Sequence, residues 1–320
     1  MVNNIACIGE LLIDFFCTDI DVSLVEGKSF EKKAGGAPAN VAAAIARHGG
    51  AAYFVGKVGE DAFGTFLEQS LTAAKVKTDH LLKTNLAKTT LAFVSLDSSG
   101  ERDFEFMRGA DGLLEGKDLD QTLIDSMHTL HFGSATALLT DPFRKTYINM
   151  MKKGQQRQQF IAFDPNYRSD LWGNDQPAFV EWVYHCLPYA NYVKVSEEEL
   201  LLLTQQDNMA EAVDRLHDEG VSLVTVTLGK AGTYVSTRDF KKVINSIKVE
   251  AIDSTGAGDA FVGALLSQLS TYAQPLEVIK NEAVLTEMIT YANVTAALVC
   301  TKVGAIESIP EADKVLAYIN

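Results

Sequence analysis

The stretch DSTGAGDAFVGALL, Asp253 to Leu266, sets Gly256-Ala257-Gly258 directly before an aspartate at the head of an apolar run with helical character. Glycine is a poor helix former, and a carboxylate in apolar surroundings is costly unless something compensates it. Glycines do let a loop present successive backbone N–H groups with no Cβ in the way. The helix that follows contributes the positive end of its dipole. Together these features predict an anion hole, with Asp259 beside it as a carboxylate able to take a proton from a hydroxyl. The pairing suits phosphoryl transfer, in which N–H donors carry the charge of the moving group while the acid deprotonates the attacking alcohol. Taken alone, the motif also reads as a tight turn followed by a helix N-terminal acid.

On the N-terminal side of this stretch, short β-branched or aromatic runs alternate with amphipathic ones. The strands expected are IACIG from Ile5, AYFVGKV from Ala52, TLHFG from Thr129, FIAFD from Phe160, YVKV from Tyr192 and LVTVTLG from Leu223. The alternation predicts an α/β fold, a mostly parallel central sheet flanked by helices, with ligands outside the carboxyl ends of its strands. Residues 15–34 and 88–108 break the rhythm as extended pieces. The second contains TTLAFVSL from Thr89, DFEFMRG from Asp103 and a turn at Ser98-Ser99-Gly100. These pieces predict a small β-sheet lid (15–34 and 88–108) over a core of residues 1–14, 35–87 and 109–320. A second glycine-marked helix start follows Gly35-Gly36: the helix opens near Pro38 and runs to Gly49-Gly50, with proline early and glycine after the end.

Composition narrows the function. The chain has 320 residues, 47% of them hydrophobic, and a formal net charge of −14. That balance argues against nucleic-acid binding, which needs a basic face, but not against an anionic substrate met by a local cluster of cations. Cys7, Cys17, Cys186 and Cys300 are scattered, with no CxxC pair, and read as reduced thiols of a cytoplasmic protein. The apolar run from Ile5 to Phe16 is broken by Glu10 and Asp14, so no signal peptide is expected, and no stretch has the length of a membrane span.

Familiar phosphate loops are missing. No GxxxxGK followed by Ser or Thr is present, and Gly229-Lys230-Ala231-Gly232-Thr233 has the wrong spacing and reads as a turn between strands. No GxGxxG follows the first strand, as a dinucleotide fold would require. Other polar groups cluster at strand ends and helix starts. Glu10 and Asp14 with Gly35, Gly36 and Asn40 offer paired donors and acceptors for neighbouring hydroxyls. DPNYRSDLW, from Asp164, offers Asn166 and Arg168 to a phosphate or a sugar hydroxyl. SEEEL, from Ser196, is either a helix start complementing its dipole or a place to order magnesium and its waters.

Taken jointly, AGGAPANVAAAIARHG with VGKVGEDAFG, and later DSTGAGDAFVGALL, resemble the two signatures of the ribokinase-like (PfkB) carbohydrate kinases, in that family's order. IGELLIDF and DPNYRSDLW are most similar to the family's bacterial fructokinases. The resemblance implies a Rossmann-type three-layer core and an ATP-dependent kinase making fructose 6-phosphate. A 2-keto-3-deoxygluconate or nucleoside kinase, and a sugar- or nucleotide-binding protein without catalysis, stand as alternatives. It implies Asp259 as base and the Gly256, Ala257 and Gly258 backbone as anion hole. Asp14, Gly35, Gly36 and Asn40 would hold sugar hydroxyls, Arg108 would close over the sugar, and Asn166 and Arg168 would face the reacting phosphate. Lys194, Thr227, Gly229, Gly232 and Asn293 would lie on the ATP side, Asn293 beside the adenine. Glu199 would order Mg2+ through water, although Ser196 stands where the family commonly has asparagine. A potassium loop would use Asp253, Thr255, Gly304 and Ser308. The resemblance also implies a homodimer paired through the lid.

Overall fold

The computed structural model describes residues 3–96 and 102–319; the turn expected at Ser98-Ser99-Gly100 lies outside them. Nine strands form one sheet: β1 (Asn4–Ile8), β4 (Ala51–Gly59), β5 (Lys77–Thr84), β8 (Thr129–Phe132), β9 (Phe160–Phe163), β10 (Tyr192–Ser196), β11 (Leu223–Thr227), β12 (Thr233–Ser236) and β13 (Lys241–Ile244). Their order is β13-β12-β11-β10-β9-β8-β1-β4-β5. Only the pairings of β12, with β11 and with β13, are antiparallel. Four more strands, β2 (Leu12–Cys17), β3 (Phe30–Gly35), β6 (Leu91–Leu96) and β7 (Arg102–Met107), make a separate sheet in the order β3-β2-β6-β7.

The continuous apolar runs of the central strands follow from burial on both faces. Ile5 and Cys7 point into one core, Ala6 and Ile8 into the other. The first core is closed by α1 (Ala37–Arg47), α2 (Ala62–Ala73), α9 (Ala257–Leu269), α10 (Pro275–Val278), α11 (Glu282–Val299) and α12 (Ala312–Leu316). The second is closed by α3 (Gln121–Asp125), α4 (Phe143–Gln156), α5 (Ser169–Trp172), α6 (Gln176–Cys186), α7 (Glu197–Thr204) and α8 (Met209–Asp218). One face is therefore covered from both ends of the chain, the other from its middle.

From β1 the chain steps outward to β4 and β5, then returns to β8 on the other side of β1 and continues to β11. The order reverses between β1 and β8, and ligands of open α/β sheets bind at such a switch, outside the carboxyl ends. The lid is rooted there: β2 leaves the end of β1 almost at once, and β3 runs directly into α1. One lid face packs onto α2, with Phe15 edge-on to Phe63 at 5.7 Å and stacked on Phe93 at 5.0 Å. The opposite face, with Phe16, Val94, Phe104 and Phe106, roofs the cleft.

Candidate active site

A cleft of about 460 Å³ opens at the switch point. Its floor is the N-terminal end of α9. Gly256, the residue before that helix, has φ 76°, a left-handed conformation, and a Cβ there would stand 2.6 Å from the Ala305 Cβ. Glycine is required on both counts. Asp259 sits in the first turn of α9, buried, and its Oδ2 accepts a 2.8 Å hydrogen bond from Asn40 Nδ2. The two glycine-marked helix starts, 219 residues apart, thus meet at one bond. Burial raises the Asp259 pKa above the ordinary carboxylate value; the Asn40 bond and the charges of Lys194 and Arg168 oppose that rise. A carboxylate whose pKa is raised in this way is a better base than one free in water.

Glu10, Asp14, Gly36 and Asn40 all line the cleft. Asp14 stands mid-strand in β2 opposite Lys33 and Ala92. Gly35 packs against its carboxylate, where any side chain would collide. Glu10 is buried and caps α1 from outside: its Oε1 accepts the Ala37 N–H at 3.1 Å, and its other oxygen accepts the Ser134 hydroxyl. Burial pushes its pKa up to about 7 against those bonds.

Asn166 and Arg168 also line the cleft. Asn166 is fixed by donating from Nδ2 to the Gly133 carbonyl at 2.9 Å, and Arg168 donates to the Tyr167 carbonyl, also at 2.9 Å, and to Asn166 Oδ1 at 3.2 Å. Glu199 is buried at the start of α7. It accepts the Tyr167 N–H at 2.8 Å and the Ser196 N–H at 2.7 Å, while Ser196 Oγ accepts the Glu199 N–H. Ser196 is therefore the N-cap of a reciprocal capping box. The Glu199 carboxylate retains lone pairs beyond these two bonds. Among the described residues no three His, Cys, Asp or Glu side chains gather into a metal cage. The Glu199 carboxylate is a hard oxygen acceptor of the kind that holds the waters Mg2+ usually keeps.

Of the other expected residues, Lys194 and Thr255 line the cleft and the rest lie apart from it. Arg108 does not line it; its guanidinium is engaged by Asp111 at 3.4 Å, Thr140 at 2.7 Å and the Thr136 carbonyl at 2.8 Å. Thr227, Gly229 and Gly232 form the β11–β12 turn, with Gly229 and Gly232 at positive φ, as the turn reading expects. Asn293 spends its amide on the protein, accepting from Thr233 Oγ1 at 2.6 Å and donating to the Ile244 carbonyl at 2.9 Å. Asp253 accepts the Thr255 N–H at 2.9 Å, the Thr255 hydroxyl at 2.6 Å and the Gly304 N–H at 2.9 Å, so three of the four expected cation-loop residues are tied together. Ser308 donates to the Val303 carbonyl at 3.1 Å nearby.

Sequence reasoning passed over the Ser134-Ala135-Thr136 segment after β8. Its hydroxyls link Glu10 to Asp111, which accepts from Thr136 Oγ1 at 2.7 Å and from Thr90 at the base of the lid. Its place at a strand's carboxyl end beside the switch was the available signal.

A doubly covered α/β sheet, a lid over its switch point, and a helix N-terminus bearing a buried aspartate define a phosphotransferase acting on a hydroxyl. The model of the pfkB family of carbohydrate kinases matches residues 2–312, and the chain belongs to that family. It is 40% identical over 315 residues to Fructokinase-1 of Zea mays, covering 98% of this chain and 96% of that one. It superposes on the ATP-bound fructokinase of Xylella fastidiosa with a TM-score of 0.90 at 32% identity, covering 100% and 98% of the two chains. A double-mutant fructokinase from Vibrio cholerae O395, bound to fructose, ADP and a potassium ion, matches with a TM-score of 0.87 at 33% identity, over 100% and 99%. No helix among the described residues is long and apolar enough to cross a membrane.

Proposed function

We propose that the protein transfers the γ-phosphoryl group of ATP to the 6-hydroxyl of D-fructose. The observation that carries this reading is the Asn40–Asp259 junction, where an acceptor site and an anion hole share one buried carboxylate. The acceptor lies across Asp14, Gly35, Gly36 and Asn40 with one hydroxyl against Asp259. That hydroxyl's oxygen bonds to the γ-phosphorus as its proton passes to Asp259. The bond from the γ-phosphorus to the β,γ-bridging oxygen breaks, and its electron pair leaves with ADP. The N–H groups of Gly256, Ala257 and Gly258, at the end of the α9 dipole, face the charge of the moving group. Asn166 and Arg168 flank it. Mg2+ neutralises the ATP phosphates when bound, and Glu199 is placed to hold one of its waters. Thr227, Gly229 and Gly232 lie on the nucleotide side, with Asn293 bracing the turn that would support the adenine. The Asp253, Thr255, Gly304 and Ser308 loop is the candidate for K+.

In this reading the core comprises residues 1–14, 35–87 and 109–320, and the lid 15–34 and 88–108. The outer strands of the lid sheet, β3 and β7, offer open edges for a homodimer. The four cysteines are all unpaired, which suits a reducing compartment such as the cytoplasm. The test is ADP release with Mg2+ and K+ across fructose, 2-keto-3-deoxygluconate, ribose, tagatose, glucose and adenosine. Turnover with fructose is expected. Turnover with another acceptor alone would reassign the sugar, and sugar-independent ATP binding without turnover would overturn the reading.

A further inference from the structure

We infer that Asp111 is a positioning residue for the acceptor: its buried carboxylate closes the two stems of the β6–β7 lid pair and ties them to the start of the helix that bears Asn40. The inference rests on the kinase reading above and goes beyond it by assigning the placement of the lid to one acid outside the cleft.

The chain enters β6 just after Thr90 and leaves β7 just before Arg108. Both points converge on Asp111. Its Oδ1 accepts the Thr90 hydroxyl, and that hydroxyl accepts the Gly109 N–H at 2.9 Å. Its Oδ2 accepts Arg108 Nε at 3.4 Å and the Thr136 hydroxyl at 2.7 Å. The stems also meet directly, where the Ala110 N–H donates to the Lys88 carbonyl at 2.8 Å. A Cβ on Gly109 would stand 2.0 Å from that same oxygen, so the stems lie as close as glycine permits. β2 joins the clamp as well, since the Ile13 N–H donates to the Thr90 carbonyl at 3.0 Å.

From Asp111 the bonds run on to α1. The Thr136 hydroxyl spends its proton on Asp111, and the Thr136 N–H donates to Ser134 Oγ at 3.2 Å. Ser134 in turn donates to Glu10, whose other oxygen holds the Ala37 N–H at the first turn of α1. Asn40 follows in the same helix. Glu10, Thr90, Asp111, Ser134 and Thr136 are buried, none more than 2% exposed. Hydrogen bonds are stronger in so dry a place, and a buried group stripped of its partner is costly, so the clamp resists opening. Neither Thr90 nor Asp111 lines the cleft. Their effect on the acceptor therefore passes through the lid, whose Phe16, Val94, Phe104 and Phe106 roof it.

The test compares Asp111→Asn, Thr90→Val and Thr90→Ser with the unaltered chain in two measurements. The first is hydrogen–deuterium exchange of the β6 and β7 amides, with β8 and β9 as internal reference. The second is the pair of KM values, for fructose and for ATP. Asp111→Asn and Thr90→Val are expected to exchange faster in the lid strands and at the unaltered rate in the reference strands. Their fructose KM should rise about 10–100-fold, the range for one hydrogen bond to a charged group, while the ATP KM moves less than about 3-fold. Thr90→Ser keeps the hydroxyl and should restore both readouts. Asp111→Asn turns an amide donor toward buried donors and is liable to misfold; Thr90→Val alters no charge and keeps the test decisive. A folded Thr90→Val protein with unaltered lid exchange would overturn the clamp. Faster lid exchange with an unaltered fructose KM, or with both KM values raised alike, would overturn the positioning role. If the unaltered chain turns over no fructose, the kinase reading falls and this inference with it. If the unaltered chain turns over fructose and the variants match it, only the Asp111 assignment falls.

Discussion

Helices α1 and α9 meet at Gly263. A methyl group built there would overlap the Ala44 Cβ and stand 2.8 Å from the Val41 carbonyl oxygen and 3.2 Å from the Ile45 nitrogen. Carbon atoms rest about 3.5–4.0 Å apart, so Gly263→Ala requires the two helices to separate by roughly 1 Å. Overpacking of this kind costs about 1–3 kcal/mol, and the better helix propensity of alanine returns up to about 1 kcal/mol. The expected loss of stability is therefore modest, about 0–2 kcal/mol by that difference. The loss of activity should be larger. The same two helices carry Asn40 and Asp259, joined at 2.8 Å, and a misplacement of about 1 Å at a catalytic group costs on the order of 10²-fold in rate. The assay is kcat for fructose with the melting temperature measured on the same preparation. Ala44→Gly removes the nearest of these contacts and leaves the one with the Val41 carbonyl oxygen, so Ala44→Gly/Gly263→Ala should regain part of the rate although each single variant is less stable. A Gly263→Ala protein with unaltered kcat, or a double variant no faster than the single, would refute the claim that this contact sets the geometry of the base.

Asp259→Asn should lower turnover by about 10²–10⁴-fold while fructose binding by calorimetry persists; retained turnover would remove Asp259 from the role of base. Asp259 must be ionised to act, so activity is present above its pKa and fades as pH falls through it. The Asn40 hydrogen bond lowers that pKa, so the acid limb of the pH–kcat profile should move to higher pH in Asn40→Ala, and a static limb would disconnect the two residues. Glu10 is an acid whose folded pKa, about 7, lies above its ordinary 4.5. The folded state therefore binds the extra proton, and the residue becomes destabilising as pH rises from 4.5 to 7, by about 3 kcal/mol in all at about 1.36 kcal/mol per unit. Glu10→Gln should therefore gain stability relative to the unaltered chain between pH 5 and pH 8 in urea melts, and parallel curves would show that Glu10 does not titrate in this window.

Much of this architecture was legible because local signals agreed with the global fold. The β-branched runs over β1, β4, β8, β9, β10 and β11 sit where the alternation placed them, and both glycine-marked helices begin as expected. The edges were less legible. β5, KTDHLLKT, and β13, KKVI, lie at the two ends of the sheet, where burial is partial and polar residues interrupt the apolar pattern that marks a central strand. The site was legible as pieces and not as contacts. Nothing local to Asn40 says that its amide reaches Asp259, nor does anything near Lys194 say that Asp164 lies beside it, since both pairings are products of sheet order and register. Arg108 shows the opposite case. The resemblance placed it over a sugar, whereas its guanidinium is engaged by the buried Asp111 and the Thr136 carbonyl and does not line the cleft.

The division of one sheet face between the two ends of the chain bears on how the enzyme is made. Asp14, Asn40, Asn166 and Lys194 all lie ahead of the final helices, whereas Gly256 to Asp259 and the helix behind them come late. In the proposed reading, a nascent chain that has left the ribosome as far as β13 already has its acceptor residues, but it has neither base nor anion hole. The apolar side of β1, β4 and α1, with Ile5, Cys7, Phe54 and Ile45, also waits for α9 and α11 to cover it. Such a half-covered chain is the species most exposed to aggregation and to chaperone capture. On that reading, completion of the fold and onset of catalysis are one late event in translation, and an unfinished chain lacks the means to consume ATP.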